Sequence, residues 1–217
     1  MSNSVRVETV VDSVFEENAY IVSERPGGKC WIIDPSFPPQ PDRIAEVIRA
    51  QDFQPAAILI THTHGDHIVG IDALCKLWPD LELAVPAGEA EHLADADKNL
   101  SAAFGLNIEI GARPTRLLKP GDTLTLETLE WHVLDVAGHS PAGLAYYCPA
   151  GKVVFTGDAL FAGSIGRTDL PGADEARLLN NIRRHLLSLP AEVVVYPGHG
   201  PCTTAGQERA TNPFLRM

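Results

Sequence analysis

The chain has 217 residues, 45% of them hydrophobic and 21% charged, a balance that supports a buried core and fits a single domain spanning 1–217. Its formal net charge of −11 argues against nucleic acid as a partner, because that needs a basic stripe to neutralise phosphates, and against an anionic membrane surface. Oligomeric state is left open by composition.

Taken in order, Met1–Glu8 lacks the apolar core of a signal peptide, and no apolar run approaches the roughly 18 residues that span a bilayer, so a cytoplasmic location is expected. Val5–Val11 and Ala19–Ser23 are predicted strands, followed by a Gly27-Gly28 turn and a strand Cys30–Ile33 that breaks at Asp34-Pro35. Ile44, Val47 and Ile48 predict a helix over Asp42–Ala50 with Asp42 as its N-cap. Ala56–Ile60 is a short apolar run expected to be a buried strand. A helix Ile68–Leu77 stopping at Pro79, a strand Glu82–Val85 and a helix within Ala87–Ala94 follow, whereas Asp95–Asn107 has no clear period. Thr115–Phe155 is expected to be β-rich, with breaks at Pro120-Gly121-Asp122, Gly138 and Gly151. Glu175–Leu189 carries Leu178, Leu179, Ile182 and Leu186 on one helical face and stops at Pro190; a buried strand Val193–Tyr196 and a helix Thr204–Thr211 complete the chain. Cys30, Cys75, Cys148 and Cys202 form no Cys-x-x-Cys pair and are expected to be free thiols. Cys202 is singled out because it lies three residues past His199.

The chemistry concentrates in Thr61-His62-Thr63-His64-Gly65-Asp66-His67, directly after the Ala56–Ile60 strand. Imidazole nitrogen and carboxylate oxygen are the donors that zinc and related divalent ions prefer. Crowding them disfavours imidazolium, and a bound cation offsets that cost. Three further stretches repeat one design, an apolar strand, a glycine and a ligand-type side chain: Leu134–Ser140 with His139, Val153–Asp158 with Asp158, and Val193–Gly200 with His199. Strand ends of this kind feed loops into a shared crevice. His92, His132 and His185 sit in no such motif and read as surface or packing residues.

In that order, His-x-His-x-Asp-His, Gly-His, Thr-Gly-Asp and Gly-His, the motifs resemble the metallo-β-lactamase superfamily over Asp34 to His199. The resemblance implies an α+β fold, a four-layer αββα sandwich, with a metal site along one edge of its packed sheets. It also implies two divalent ions, most simply zinc, with His62, His64 and His139 on the first, Asp66, His67 and His199 on the second, and Asp158 bridging. Asp34 would orient the ligand loop, or alternatively serve as an Asp-Pro turn residue. Asp66 stands where some lactamases place cysteine; oxygen is the harder donor, so iron or manganese can compete. The stretch Leu160–Gly172, with Tyr196–Pro201 and Asn212-Pro213-Phe214-Leu215, is similar to short bacterial glyoxalase II-like hydrolases. Full-length glyoxalase II has a further C-terminal helical region with glutathione contacts, which this sequence, ending soon after His199, is expected to lack.

On that resemblance the expected activity is hydrolysis of a glutathione thioester such as S-D-lactoylglutathione by metal-bound hydroxide, with Asp66 and Asp158 as the catalytic carboxylates. Two divalent ions against these carboxylates and one hydroxide leave about +1 with neutral histidines, enough to attract an anionic substrate. A thiol, with a free pKa near 8.5, leaves without a strong acid, which favours a thioester over a β-lactam. Arg167 would either clamp a substrate carboxylate or pair with Asp169. Two alternatives stay open: a mononuclear-iron persulfide dioxygenase using His62, His139 and Asp158, and a non-catalytic metal- or ligand-binding module of the same fold. A serine hydrolase is disfavoured, since no Gly-x-Ser-x-Gly elbow is present.

Overall fold

Two six-stranded sheets build the molecule, in a computed structural model that describes residues 5–216. The first contains β1 (Arg6–Val11), β2 (Asn18–Ser23), β3 (Lys29–Ile33), β4 (Gln54–Leu59), β5 (Glu82–Pro86) and β6 (Arg116–Leu118), in that spatial order. The second contains β7 (Thr123–Leu126), β8 (Leu129–Asp135), β9 (Leu144–Cys148), β10 (Val153–Gly157), β13 (Val194–Pro197) and β14 (Thr203–Thr204), while β11 (Leu160–Phe161) and β12 (Ser164–Ile165) form a separate small hairpin. The helices are α1 (Gln40–Ala50), α2 (Gly65–Ile68), α3 (Ile71–Leu77), α4 (Glu175–Asn181) and α5 (Ala205–Thr211).

Period-two alternation separates three apolar layers. In β3 and β4, Ile32 and Ile58 turn outward onto Ile44, Ile48 and Leu74 of the helices that cover the first sheet. Their neighbours Trp31, Ile33 and Leu59 turn inward, against Trp131, Tyr146 and Phe155 of the second sheet. On the far side, Ala145, Val154 and Val195 meet Leu178, Ile182 and Leu186. Helix, sheet, sheet and helix thus stack as the expected four-layer α+β sandwich. A strand covered on both faces shows no alternation in its burial, and β2 is buried at every position.

Several boundaries differ from the sequence reading. Asp42 does not cap α1: the helix starts at Gln40 after Pro39, with proline in its first turn, and Gln40 donates instead to the Val11 carbonyl and Asp12 Oδ1. The helix predicted over Ile68–Leu77 runs only from Ile71 as α3, with Ile68 ending the short α2; Gly70 between them lies against the carbonyls of Pro35 and Ser36, where a Cβ would collide. Ala87–Ala94 holds only a 3₁₀ turn, Ala90–Ala94, and the aperiodic Asp95–Asn107 holds another, Ser101–Phe104. The helix predicted over Glu175–Leu189 is α-helical to Asn181 and then widens into a π turn, Ile182–Leu186. Thr204 is the cap of α5, accepting from the Gln207 amide, rather than its first turn. None of the described helices is long and apolar enough to cross a membrane, and the four cysteines are free thiols.

The topology sets the site. β3 runs parallel to β4, and β10 parallel to β13. Two antiparallel steps, β8 to β9 and β9 to β10, return β8 to the same direction. The C-terminal ends of these strands therefore open on one edge of the sandwich, and the loops bearing Asp34, His62–His67, His139, Asp158 and His199 meet there.

Candidate metal centre

Four imidazoles present an Nε2 atom to a common space because each Nδ1 is occupied. His62 Nδ1 lies 3.1 Å from Thr61 Oγ1, and His67 Nδ1 lies 3.0 Å from Asp34 Oδ2. His139 Nδ1 meets the Arg167 carbonyl at 2.8 Å, and His199 Nδ1 meets the Phe15 carbonyl at 2.9 Å. A proton on Nδ1 that donates to each oxygen leaves the Nε2 lone pair free, as metal-ligating histidines require. His64 is turned the other way: its Nδ1 sits 3.1 Å from His62 Nε2 and 2.9 Å from His139 Nε2.

The donor atoms include the groups His62–His64–His139 and Asp66–His67–His199, each within 4.8 Å, and Asp34, His62 and His67 form a third. Asp158 reaches the first two. Its Oδ1 is 3.4 Å from His67 Nε2, and its Oδ2 is 3.6 Å from His139 Nε2 and 3.4 Å from His199 Nε2. Asp66 Oδ2 lies 3.3 Å from His199 Nε2 and 3.9 Å from His67 Nε2. All seven residues read as ligands in the sequence are thus brought together.

Electrostatics divides them. Burial, reinforced by the neighbouring His67 and His64, holds His62 well below its usual range, and burial with His139 pushes His64 down to about 3. These two rings are neutral at pH 7, and His64 Nδ1 crowds against the Nε2 atoms of His62 and His139. Around the carboxylates the sign reverses. Burial opposes charge on His67 and His199, but Asp158 and Asp66 overcome it, raising His67 well above the usual value and His199 to about 10. Burial likewise opposes charge on Asp158, yet His67 and His199 hold it well below the carboxylate range.

Divalent cations fit this donor set. His67 Nε2 and Asp158 Oδ1 are buried, face one another and lack any hydrogen-bond partner, a costly arrangement that a cation between them would relieve. A cation entering Asp66–His67–His199 displaces the protons held by His67 and His199. Apparent affinity for this weaker step is expected to rise with pH between 6 and 8, towards about tenfold per unit for each proton released. His62 and His64 are already neutral there, so binding at the group they form with His139 should depend less steeply on pH. Calorimetric zinc titrations of the metal-free protein in buffers of different ionisation heat measure this; two equally pH-independent steps would contradict the assignment.

Behind the ligands stand residues of two kinds. Asp34, at φ +51°, accepts from the Thr61 amide (2.8 Å), Thr61 Oγ1 (2.6 Å) and His67 Nδ1, which ties the ligand loop to β3. Glu89 was not singled out in the sequence. It is buried, and its carboxylate accepts from the Thr63 amide and hydroxyl at 2.9 Å each and from the Ala142 amide at 2.6 Å, locking the loop of His62 and His64 to the loop after His139. Glu17, also missed, is fully buried with Oε1 3.5 Å from His67 Nδ1; burial pushes its pKa well above the usual carboxylate range. Its one local signal was an acidic pair entering a buried strand. Gly198 lies so close to Asp158 Oδ1 and the His67 ring that no Cβ fits there.

Arg167 is placed at the site, but its guanidinium is engaged in the local pair, with Nε and Nη2 each 2.7 Å from the Asp169 carboxylate. Its carbonyl is what contacts the centre. Cys202 is exposed, and partial burial raises rather than lowers its thiol pKa, the opposite of an activated nucleophile. Cys202→Ser is expected to keep kcat/KM within about twofold; an abolished rate would show a role for the thiol.

Above the centre lies a cavity of about 260 Å³ walled by Phe15, Phe37, Phe104, Leu106, Ile108 and Leu170, with His64, Asp66, His139, Asp158 and His199 on its floor.

Comparison with known proteins agrees with this geometry. The profile of the metallo-beta-lactamase superfamily matches residues 13–199. The probable metallo-hydrolase YqgX of Bacillus subtilis is 38% identical over 92% of each chain. Hydroxyacylglutathione hydrolase GloC of Haemophilus influenzae is 32% identical over 97% of this chain and 98% of its own. Among solved structures, the B3 metallo-beta-lactamase BLEG-1 superposes with a TM-score of 0.92 at 34% identity, covering 98% of this chain and all of its own. TTHA1623, crystallised in a di-iron-bound form, superposes at 0.84 with 40% identity, covering 96% and 100%.

Proposed function

The chain belongs to the metallo-β-lactamase superfamily, and from that premise we propose that it is a binuclear metal-dependent hydrolase of thioesters, with S-D-lactoylglutathione as the reference substrate. The observation that carries the reading is Asp158, whose two oxygens reach both groups of donors at the floor of one cavity. His62, His64 and His139 would hold one cation and Asp66, His67 and His199 the other, zinc being the simplest choice and iron or manganese compatible with the oxygen donors. When bound, such ions acidify water and polarise an acyl oxygen.

The chain's own residues do the rest. The Arg167 and Phe15 carbonyls and the Asp34 carboxylate hold His139, His199 and His67 in the tautomer that turns Nε2 to the centre. Asp66, on the cavity floor, is the carboxylate placed to take a proton from water. Water oxygen bonds the acyl carbon, and the C–S bond breaks with its electron pair on sulfur. A carboxylate, a thiol and one released proton result. Sulfur leaves without a strong acid, unlike the nitrogen of an amide, and GloC is named as a hydrolase of a glutathione thioester.

Metal content per chain, measured beside three assays and a no-enzyme control, tests the proposal: S-D-lactoylglutathione hydrolysis, oxygen uptake with glutathione persulfide, and cleavage of a chromogenic cephalosporin. Two ions per chain with thioester turnover are expected. One iron with oxygen consumption, or cephalosporin turnover without thioester turnover, would overturn it.

A further inference from the structure

We propose that the cavity over the centre selects the acyl half of the substrate and takes an apolar acyl chain of several carbons, while the thiol half contributes little through charge; this rests on the thioesterase reading. Phe15 stacks on Phe37 with ring centroids 5.0 Å apart, and Phe104 meets Phe15 edge-on at 6.2 Å. Phe104 is nevertheless 57% exposed. Three aromatic rings left partly open beside a polar centre form surface that an apolar ligand covers favourably. A lactoyl group, small and hydroxylated, would leave most of this wall in contact with water.

Charge around the openings points the same way. Glutathione carries two carboxylates. At the cavity, Arg167 is the lining guanidinium, and its Nε–Nη2 edge is committed to Asp169. A second opening on the other side of His64 contains Lys98 among Asp95, Asp97 and Glu89. Lys98 already lies 3.6 Å from Glu91 and 3.7 Å from Asp95. Exposed pairs of this kind are individually weak, but the surroundings are acidic, and the two carboxylates of glutathione, which also bears one ammonium for a net charge of about −1, gain nothing from them. Phe15 also couples acyl packing to the centre: its ring walls the cavity while its carbonyl orients His199.

The test uses zinc-reconstituted protein and thioesters of acetate, butyrate, hexanoate and D-lactate, each on glutathione and on uncharged N-acetylcysteamine. We expect kcat/KM to rise about 3- to 4-fold per methylene on both thiols, with D-lactoyl near the bottom of the series. The half-exposed Phe104 can be truncated without opening the core, and Phe104→Ala should cut the hexanoyl-to-acetyl preference about tenfold. Calorimetric binding of hexanoate against acetate gives a readout that needs no turnover: hexanoate is expected to bind at least about tenfold tighter, with the advantage lost in Phe104→Ala. Turnover with no dependence on acyl length, or a glutathione preference of about a hundredfold over N-acetylcysteamine, would overturn the inference and leave the thioesterase reading standing. Failure to hydrolyse any thioester would remove that reading. The acid-binding comparison then decides the cavity's preference alone, and equal affinities for hexanoate and acetate would overturn it.

Discussion

Asp158→Ala is expected to abolish turnover and to weaken metal binding by about 10²- to 10⁴-fold. Asp158 is the carboxylate that touches both donor groups, His67 through one oxygen and His139 and His199 through the other. Its charge, with that of Asp66, keeps His67 and His199 protonated without metal and would balance cations with metal. Breaking a buried ionic set by removing one partner costs about 3–5 kcal/mol, which at 1.4 kcal/mol per decade is the range given. Metal content after exhaustive dialysis and the rate on S-D-lactoylglutathione read the effect. A variant that retained both at the parent level would show that the carboxylate is only a packing group.

The second large effect is expected at Asp34, where two substitutions separate shape from charge. Asp34→Ala strands three buried donors, the Thr61 amide, the Thr61 hydroxyl and His67 Nδ1–H, at about 1–3 kcal/mol each. It also places alanine at φ +51°, which asparagine and aspartate tolerate better. A loss of several kcal/mol would lower Tm by about 10 °C or more in a chain of this length. Asp34→Asn keeps volume and backbone preference but turns an amide donor towards groups that need an acceptor. It should melt closer to the parent yet bind zinc about 10- to 100-fold more weakly, as loss of a ligand-orienting carboxylate does elsewhere. Equal zinc affinity in Asp34→Asn and parent would refute the orienting role and return Asp34 to a turn residue.

The seven ligand-type residues were readable because the signal for each is local: an apolar run, a small residue, then a side chain with few other uses at a strand end. The same locality explains what was missed. Glu89 binds Thr63 and Ala142, 26 and 53 residues away, and looks like any acidic residue in a polar turn. The supports of His139 and His199 are the carbonyls of Arg167 and Phe15, and a carbonyl has no residue type to read. Arg167 was identified at the right place for its guanidinium, but the contact it makes to the centre is through its backbone. Gly70 must be glycine because of carbonyls on a different loop, a constraint that periodicity does not show.

By itself the sequence determined the donor set, because metal-type side chains at strand ends are properties of short stretches, and the sandwich was implied by the family resemblance those motifs carry. The tertiary structure decided that His62 and His64 are held neutral while His67 and His199 are held charged, since burial and neighbouring charge are set only when distant loops meet. It also decided the character of the cavity. Phe15, Phe37 and Phe104 are ordinary apolar residues in sequence, and Phe104 falls in the stretch with no period at all. Only packing distinguishes a ring that fills the core from one left open above the centre.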